Sequence, residues 1–548
     1  MRAAIALAIC AASGLLLALA YPHAGRCAVC GLWPIAWVAL APWLVVVFTA
    51  PPRTAIAGSW LAGFAFFAAL MSWVAIFGYL PWALLALIEG LAFALTAAVA
   101  RVIQWGQLPI WRQEPLAGRT TPREIGNCPL RILAVALAWV TFEFARGSGE
   151  FGVPWGQVGH SQAPFVALAQ LAAFGGVPAI SFVVVLANAA IAHAIAERRR
   201  GPTALRPVFY VGAVVAGAVA LGGAHARLVE RSLAAERQSA LPDIRVGIAQ
   251  PSLKTWLTVE QLNLPVTIEQ QEWELSQYAR LTRQAAAAGA RIVIWPESAV
   301  SGYLDYPGIA RDAVTSLARK AGVWLLVGGP AYAADPAHPA NGREYNSAYV
   351  ISERGAIVGR YDKVHLVPFG EYVPWRNHLP LLQHYQVRAT DVARGAGHRL
   401  LRADGLDFGP MICFESVFPD ISRTEANHGA RALAIITNDA WFLRTAAAAQ
   451  HLEIGRFRAI EQGLWVARGA ATGISAFISP LGRITKSLSL MQRGVLVADI
   501  RARTGSTFYR RAGPLFSEIC AGVTILWLLG ALAPRLRHRR NRPRAGCC

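Results

Sequence analysis

Long apolar runs stand at both ends of this chain, and a more polar block, residues 224–514, separates them. No single water-soluble core accommodates that arrangement. A membrane-spanning helix needs about 20 mostly apolar residues. Eight segments are candidates: 3–20, 32–50, 55–78, 81–104, the short 131–145, the long 164–196, 207–223 and 515–533. They account for a hydrophobic fraction of 55% beside only 15% charged residues. The expected organisation is a membrane domain at 1–223 with seven spans, a water-facing domain at 224–514, and a last span with a basic tail at 515–548.

The net charge of +20 raises nucleic acid as a partner. The distribution argues against it. Arginines gather beside apolar runs, as at Arg198–Arg200 and in the tail from Arg535 to Arg544, without a helix-turn-helix, zinc-finger or aromatic-basic strand pattern. Cytoplasmic loops of membrane proteins collect Lys and Arg. With the N-terminus in the cytoplasm, the arginine-rich loops and the tail all fall inside, and residues 224–514 fall outside. Residues 2–20 read either as a first span or as a secretory signal peptide ending near Ala18-Leu19-Ala20. The apolar stretch exceeds a signal-peptide core, which favours a retained helix, and both choices give the same orientation.

Of 8 cysteines, Cys27 and Cys30 form a C-x-x-C in an outer loop, a weak signal for zinc or redox chemistry, and Cys547 and Cys548 end the chain. Cys413 is the only cysteine in 224–514. It reads either as a small buried apolar residue or as a nucleophile.

The outer block alternates short apolar strands with helical segments, which implies an α/β domain. Strands are expected at 244–249, 291–295, 323–328, 346–351, 407–413, 431–437, 464–469, 474–479 and 494–499. Helices are expected at 274–288, 308–320, 417–428 and 448–462. Polar residues fall where strands end: Glu297 in W-P-E-S, Lys363 in Y-D-K-V-H-L-V-P-F-G-E, and Cys413 closing a strand in M-I-C-F-E-S. Open α/β sheets place their sites there. Each residue has an ordinary alternative: a helix N-terminal acid, a solvated lysine, a core thiol. Together they supply a thiol nucleophile, a carboxylate base and a cation for an oxyanion, the three parts acyl transfer needs. His365 and His451 read as structural.

The motifs W-P-E-S, Y-D-K-V-H-L-V-P-F-G-E, I-C-F-E-S and T-N-D-A-W-F resemble the nitrilase superfamily. With the flanking spans, P-W-G-Q-V-G-H-S-Q at 154–162 and R-T-G-S-T-F-Y at 503–509, the chain resembles the apolipoprotein N-acyltransferase family over nearly its whole length. The resemblance implies a multi-span helical membrane domain of about eight helices and an α/β nitrilase-like α-β-β-α sandwich. It implies transfer of a fatty acyl chain from a phospholipid to the α-amino group of a diacylglyceryl-cysteine on an apolipoprotein, in a bacterial inner membrane, by a monomer without metal or cofactor. Glu297 is then the base, Lys363 the oxyanion cation and Cys413 the nucleophile carrying a thioester. Glu371 and Glu415 match further acidic positions beside the site. Trp256, Asn438 and Trp441 match substrate-side positions, and Asp439 belongs to the same loop. The chain departs from the pattern at Phe414, where some relatives have Tyr, and at Ala471, where a polar residue is expected. Two other functions stay open on the residues alone: a membrane-tethered amidase or nitrilase, and a non-catalytic binding or transport protein.

Overall fold

The computed structural model describes residues 2–23, 31–105, 130–238, 243–253, 266–334, 342–376, 378 and 391–540. Trp256, Cys27, Cys30, Cys547 and Cys548 lie outside them. The chain divides into two compact units. One is drawn from Met1–Pro22, Cys30–Gly223 and Pro514–Cys548, the other from His23–Val29 and Ala224–Gly513.

The first unit is helical, and all eight apolar segments form helices. Among the described residues five are long and apolar enough to cross a membrane: Pro52–Leu70, Tyr79–Ile103, Ala172–Ala196, Arg198–Glu236 and Leu515–Leu532. Arg2–Ala18 and Trp33–Thr49 are apolar but shorter. Leu130–Arg146 has 17 residues and carries Arg131, Glu143 and Arg146. The segment expected at 164–196 is broken. Gly175 and Gly176 leave helical geometry and Pro178 follows, so one helix runs into another across a kink.

Small residues let these helices approach closely. A Cβ on Gly63 would lie 2.5 Å from the Gly90 carbonyl oxygen, so the crossing of Pro52–Leu70 with the helix Tyr79–Trp105 requires glycine there. Charged side chains buried in this unit hold its backbone. Arg146 Nη1 lies 3.0 Å from Glu89 Oε2 and donates to the carbonyls of Val153 and Trp155. Glu143 Oε1 accepts the Val158 N–H at 2.7 Å. These bonds hold the backbone of the P-W-G-Q-V segment, which forms no regular helix at its start and therefore needs partners for its polar groups.

The second unit is a sandwich of two six-stranded sheets. The strands are β1 (Ile244–Gln250), β2 (Ile292–Ile294), β3 (Trp324–Ala333), β4 (Arg343–Ile351), β5 (Ile357–Asp362), β6 (Leu401–Ala403), β7 (Leu406–Ile412), β8 (Ala432–Thr437), β9 (Val466–Ala470), β10 (Ser475–Ile478), β11 (Ile484–Leu488) and β12 (Gly494–Ile500). The orders are β12-β1-β2-β3-β4-β5 and β11-β10-β9-β8-β7-β6. In each sheet three adjacent strands are parallel, β1-β2-β3 and β7-β8-β9, and the flanking strands are antiparallel.

Strand periodicity decides the layers. Val246, Ile248, Ile292 and Ile294 point inward and meet Phe408, Ile412, Ala434 and Ile436 of the other sheet. The alternate residues Ala249, Val293 and Leu325 face out to Leu275, Tyr278 and Leu281 of helix Ile268–Ala287 and Val314 and Leu317 of helix Ile309–Ala321. Each fully buried Val, Leu, Ile or Phe among them contributes about 1.5–3 kcal/mol. Helices Pro419–Asn427 and Ala447–Gln462 belong to the second sheet, giving helix, sheet, sheet, helix.

Helix Ile268–Ala287 starts six residues before the Ala-rich stretch suggests, because the Thr267 hydroxyl accepts the Gln270 N–H and caps it. Strands β5, β6 and β11 escape the sequence pattern: β6 is three residues long, and I-V-G-R-Y-D and I-T-K-S-L are half-solvated edge segments.

Candidate active site

β2 delivers Glu297. The strand pairing continues through Trp295, whose N–H donates to the Leu326 carbonyl at 2.8 Å and whose ring stacks on Tyr278 at 4.5 Å. Pro296 has no N–H to offer a neighbour and ends the strand. The backbone then turns sharply, with Ser298 at φ +52°. The turn packs tightly on β3: a Cβ on Gly328 would lie 2.3 Å from the Pro296 carbonyl oxygen.

Lys363 follows β5, and its N–H donates to the Asn346 carbonyl at 2.8 Å. Its ammonium is buried beside two carboxylates, 3.0 Å from Glu371 Oε1 and 3.5 Å from Glu297 Oε1. Asn346, on β4, completes the square. Its Nδ2 donates to Glu297 Oε1 at 2.8 Å and to Glu371 Oε1 at 3.0 Å. The other oxygens are also held, Glu297 Oε2 by the Asn438 N–H at 2.7 Å and Glu371 Oε2 by the Val367 N–H at 2.9 Å. Asn346 escapes the sequence reading because it lies at the start of an expected strand. The available signal is an amide side chain at the polar start of a strand whose later residues, Ala348–Ile351, are buried.

Cys413 does not close β7. The strand ends at Ile412, and Cys413 opens the 3₁₀ turn Cys413–Val417 in the left-handed region, at φ +54°. An L-residue there stores strain of order 1–3 kcal/mol, and such strain clusters at functional sites. The sharp turn at the end of a strand leaves Cys413 a half-buried residue on a fixed backbone.

Glu415 joins the two sheets at this point. Oε2 accepts the Ile412 N–H at 2.7 Å. Oε1 accepts the Val364 and His365 N–H groups at 2.7 and 3.1 Å and the Tyr361 hydroxyl at 2.9 Å. One fully buried carboxylate therefore grips the residue before Cys413 and the residues after Lys363.

The charges are mutually consistent. Burial alone lowers the Lys363 pKa, but Glu371 and Glu297 overcome it and hold the ammonium charged far above the usual range. Burial raises Glu371, and the Lys363 charge with hydrogen bonds from Asn346 and Val367 brings it below its ordinary value. Burial, with the Glu297 charge, pushes the Cys413 thiol up, and Lys363 opposes this. Burial drives Glu415 up to about 7 against its backbone N–H donors. The resting site thus holds a neutral thiol and a permanent cation beside hydrogen-bonded carboxylates, the set of groups that nucleophilic attack on an acyl carbon needs.

The remaining expected positions divide. Asn438 meets the site through its backbone N–H, while its side chain accepts from Ala440 N–H. Trp441 lies partly exposed in the turn Asp439–Phe442. Phe414 packs on Phe418 at 5.1 Å between ring centres. Ala471 is buried and bonded through its backbone, to the Thr437 carbonyl and from the Ser252 N–H. The His365 ring lies tilted against Phe418, 3.9 Å between ring centres.

Comparison with known proteins extends to both units. The carbon-nitrogen hydrolase family model matches residues 251–509, and that of the apolipoprotein N-acyltransferase N-terminal domain matches residues 13–190. The apolipoprotein N-acyltransferase of Geobacter metallireducens is 31% identical over 96% of this chain and 95% of its own length. That of Azotobacter vinelandii is 35% identical over 94% of this chain and 93% of its own. Among solved structures, an amidase of the nitrilase superfamily from Nesterenkonia covers 51% of this chain and 99% of its own, with TM-score 0.37 and 18% identity.

Proposed function

The chain belongs to the apolipoprotein N-acyltransferase family, and from that premise we propose that it moves a fatty acyl chain from a phospholipid to the α-amino group of a diacylglyceryl-cysteine through a thioester on Cys413. It is a bacterial membrane acyltransferase. The observation that carries the mechanism is the buried cluster of Glu297, Lys363, Glu371 and Asn346, tied by Glu415 to the strained turn that presents Cys413.

The steps balance as follows. Glu297 takes the Cys413 proton as sulfur attacks the ester carbonyl carbon, and the Lys363 ammonium faces the oxyanion, a contribution of order 10²–10³ in rate for one donor. The carbon–oxygen bond to the glycerol breaks, Glu297 returns the proton to the leaving oxygen, and lysophospholipid departs. The lipoprotein amine attacks the thioester and loses its proton to Glu297. The carbon–sulfur bond breaks, leaving an amide, and Glu297 reprotonates the sulfur. Glu371 keeps Lys363 charged throughout. Trp256, Asn438 and Trp441 are assigned to the substrate side.

The outer block faces the periplasm and the C-terminus the cytoplasm, an orientation supported by the one-sided arginine distribution. In this reading residues 1–223 carry seven spans, 224–514 form the catalytic domain, and 515–548 supply the last span and a basic tail. The active unit is a monomer, its partners are lipids and lipoprotein and not nucleic acid, and it uses no metal or cofactor. Likeness that spans both units, not the hydrolase part alone, weighs against a tethered amidase. The test is transfer of a labelled acyl chain to a diacylglyceryl-cysteine peptide by Cys413→Ala in the full-length protein. Loss of transfer supports the assignment, and retained transfer overturns it.

A further inference from the structure

Behind the nucleophile runs a second polar chain that the acyl-transfer steps do not use. Asp439 and Arg468 are fully buried and paired, Oδ2 to Nη2 at 2.9 Å. Asp439 Oδ1 accepts the Thr437 hydroxyl at 2.8 Å and lies 3.1 Å from His451 Nδ1. Arg468 Nη2 stands 3.0 Å from that same nitrogen. On the other side of the ring, His451 Nε2 lies 2.8 Å from Ser416 Oγ and 3.2 Å from the Cys413 carbonyl oxygen. Ser416 Oγ donates to that carbonyl at 2.8 Å.

A serine that bonds the carbonyl three residues back is common in helical turns. Here the bond does not stand alone. His451 comes from helix Ala447–Gln462, Arg468 from β9, and Asp439 from the turn after β8, so three separate elements meet at one imidazole, whose far nitrogen lies beside the Cys413 carbonyl. That carbonyl belongs to a residue at φ +54°. Such a conformation persists only where its surroundings over-determine it.

We propose that His451 and Ser416 are positioning residues for the acyl-transfer nucleophile: clamped by Asp439 and Arg468, they fix the Cys413 carbonyl, and with it the direction of the thiol. They touch no substrate. Glu415 holds the peptide N–H before Cys413, and this chain holds the carbonyl after it, so the turn is gripped from both sides. The proposal rests on Cys413 being the nucleophile.

The test uses full-length protein in detergent and two readouts at the Cys413 peptide by mass spectrometry: the rate of acylation from phospholipid micelles and the rate of alkylation by iodoacetamide. Ser416→Ala is the mildest variant, and it is expected to acylate about tenfold more slowly, the worth of one neutral hydrogen bond, with KM for phospholipid unchanged. His451→Leu is expected to lose roughly 10²-fold, as a misplacement near 1 Å does, and His451→Gln, which keeps a polar terminus near the Nε2 position, to recover part of it. Wild-type rates in folded Ser416→Ala overturn the proposal, whether or not His451→Leu folds. A change confined to KM also overturns it. If wild-type protein acquires no acyl group, the nucleophile assignment fails instead, and the alkylation rates still decide the positioning role.

Discussion

Glu415 accepts the backbone N–H of Ile412 at 2.7 Å, immediately before the strained residue Cys413. Its other oxygen accepts the N–H groups that follow Lys363. The placing of Cys413 relative to Lys363 is thus set by a side chain that takes no part in the proposed reaction. Glu415→Gln keeps the shape but turns one acceptor into a donor facing N–H groups. It is expected to cost about 1–3 kcal/mol of stability and to slow acylation of Cys413 by about 10²-fold. Thermal unfolding and single-turnover acylation measure the two effects.

Lys363 neutralises two buried carboxylates. Lys363→Met leaves both without their cation, which costs about 3–5 kcal/mol where one partner of a buried pair is removed. The double variant Lys363→Met, Glu371→Gln is expected to regain much of that stability and none of the activity. Recovery of activity in the double variant would show that the cation serves structure alone.

Asn346 is the bridge that holds Glu297 and Glu371 on one donor. Asn346→Asp brings a third carboxylate to the same point, and like charges there favour protonation. Acylation is expected to fall at least 10²-fold at pH 7 and to fall less at lower pH, where the added charge is neutralised. The pH–rate profiles of the two proteins test this.

Two buried acids give opposite pH signatures. Burial raises Asp439, but the Arg468 charge and the His451 and Thr437 contacts outweigh it and bring the pKa from 3.8 to about 2. Its stabilisation, about 2 kcal/mol, is complete above pH 3.8 and is lost as pH falls towards 2. Burial raises Glu415 from 4.5 to about 7, so its contribution is complete below pH 4.5 and declines as pH rises through 7. Apparent Tm against pH for Asp439→Asn and Glu415→Gln, each compared with the wild type, separates the two windows.

In the helical unit, Arg146 is paired with Glu89 and holds the carbonyls of Val153 and Trp155. Arg146→Met strands Glu89 and frees that backbone, and it is expected to lower stability by about 3–5 kcal/mol. Adding Glu89→Gln should return part of it. Unfolding in detergent reads both.

The sequence reveals most of what periodicity and strand ends can carry. The eight apolar segments are helices, and Glu297 stands where a strand ends because that apolar strand stops visibly at Pro296, whereas Lys363 follows the half-solvated β5, which carries no such signal. The remainder depends on contacts across the chain. Asn346 acts through two residues far from it in sequence, and Glu415 binds backbone N–H groups, which every residue but proline possesses. The left-handed conformation of Cys413 has no adjacent glycine to announce it. Edge strands such as I-T-K-S-L carry charge because they face water, so they read as loops. The kink at Gly175–Gly176 interrupts a run that hydropathy alone leaves continuous.

The central claim is the thioester on Cys413. The most direct measurement is peptide mass spectrometry of the full-length protein after incubation with phospholipid micelles. The account predicts one acyl mass on the Cys413 peptide, removed by hydroxylamine and transferred to a diacylglyceryl-cysteine peptide. An unmodified Cys413 in folded protein that still transfers the acyl chain would contradict it.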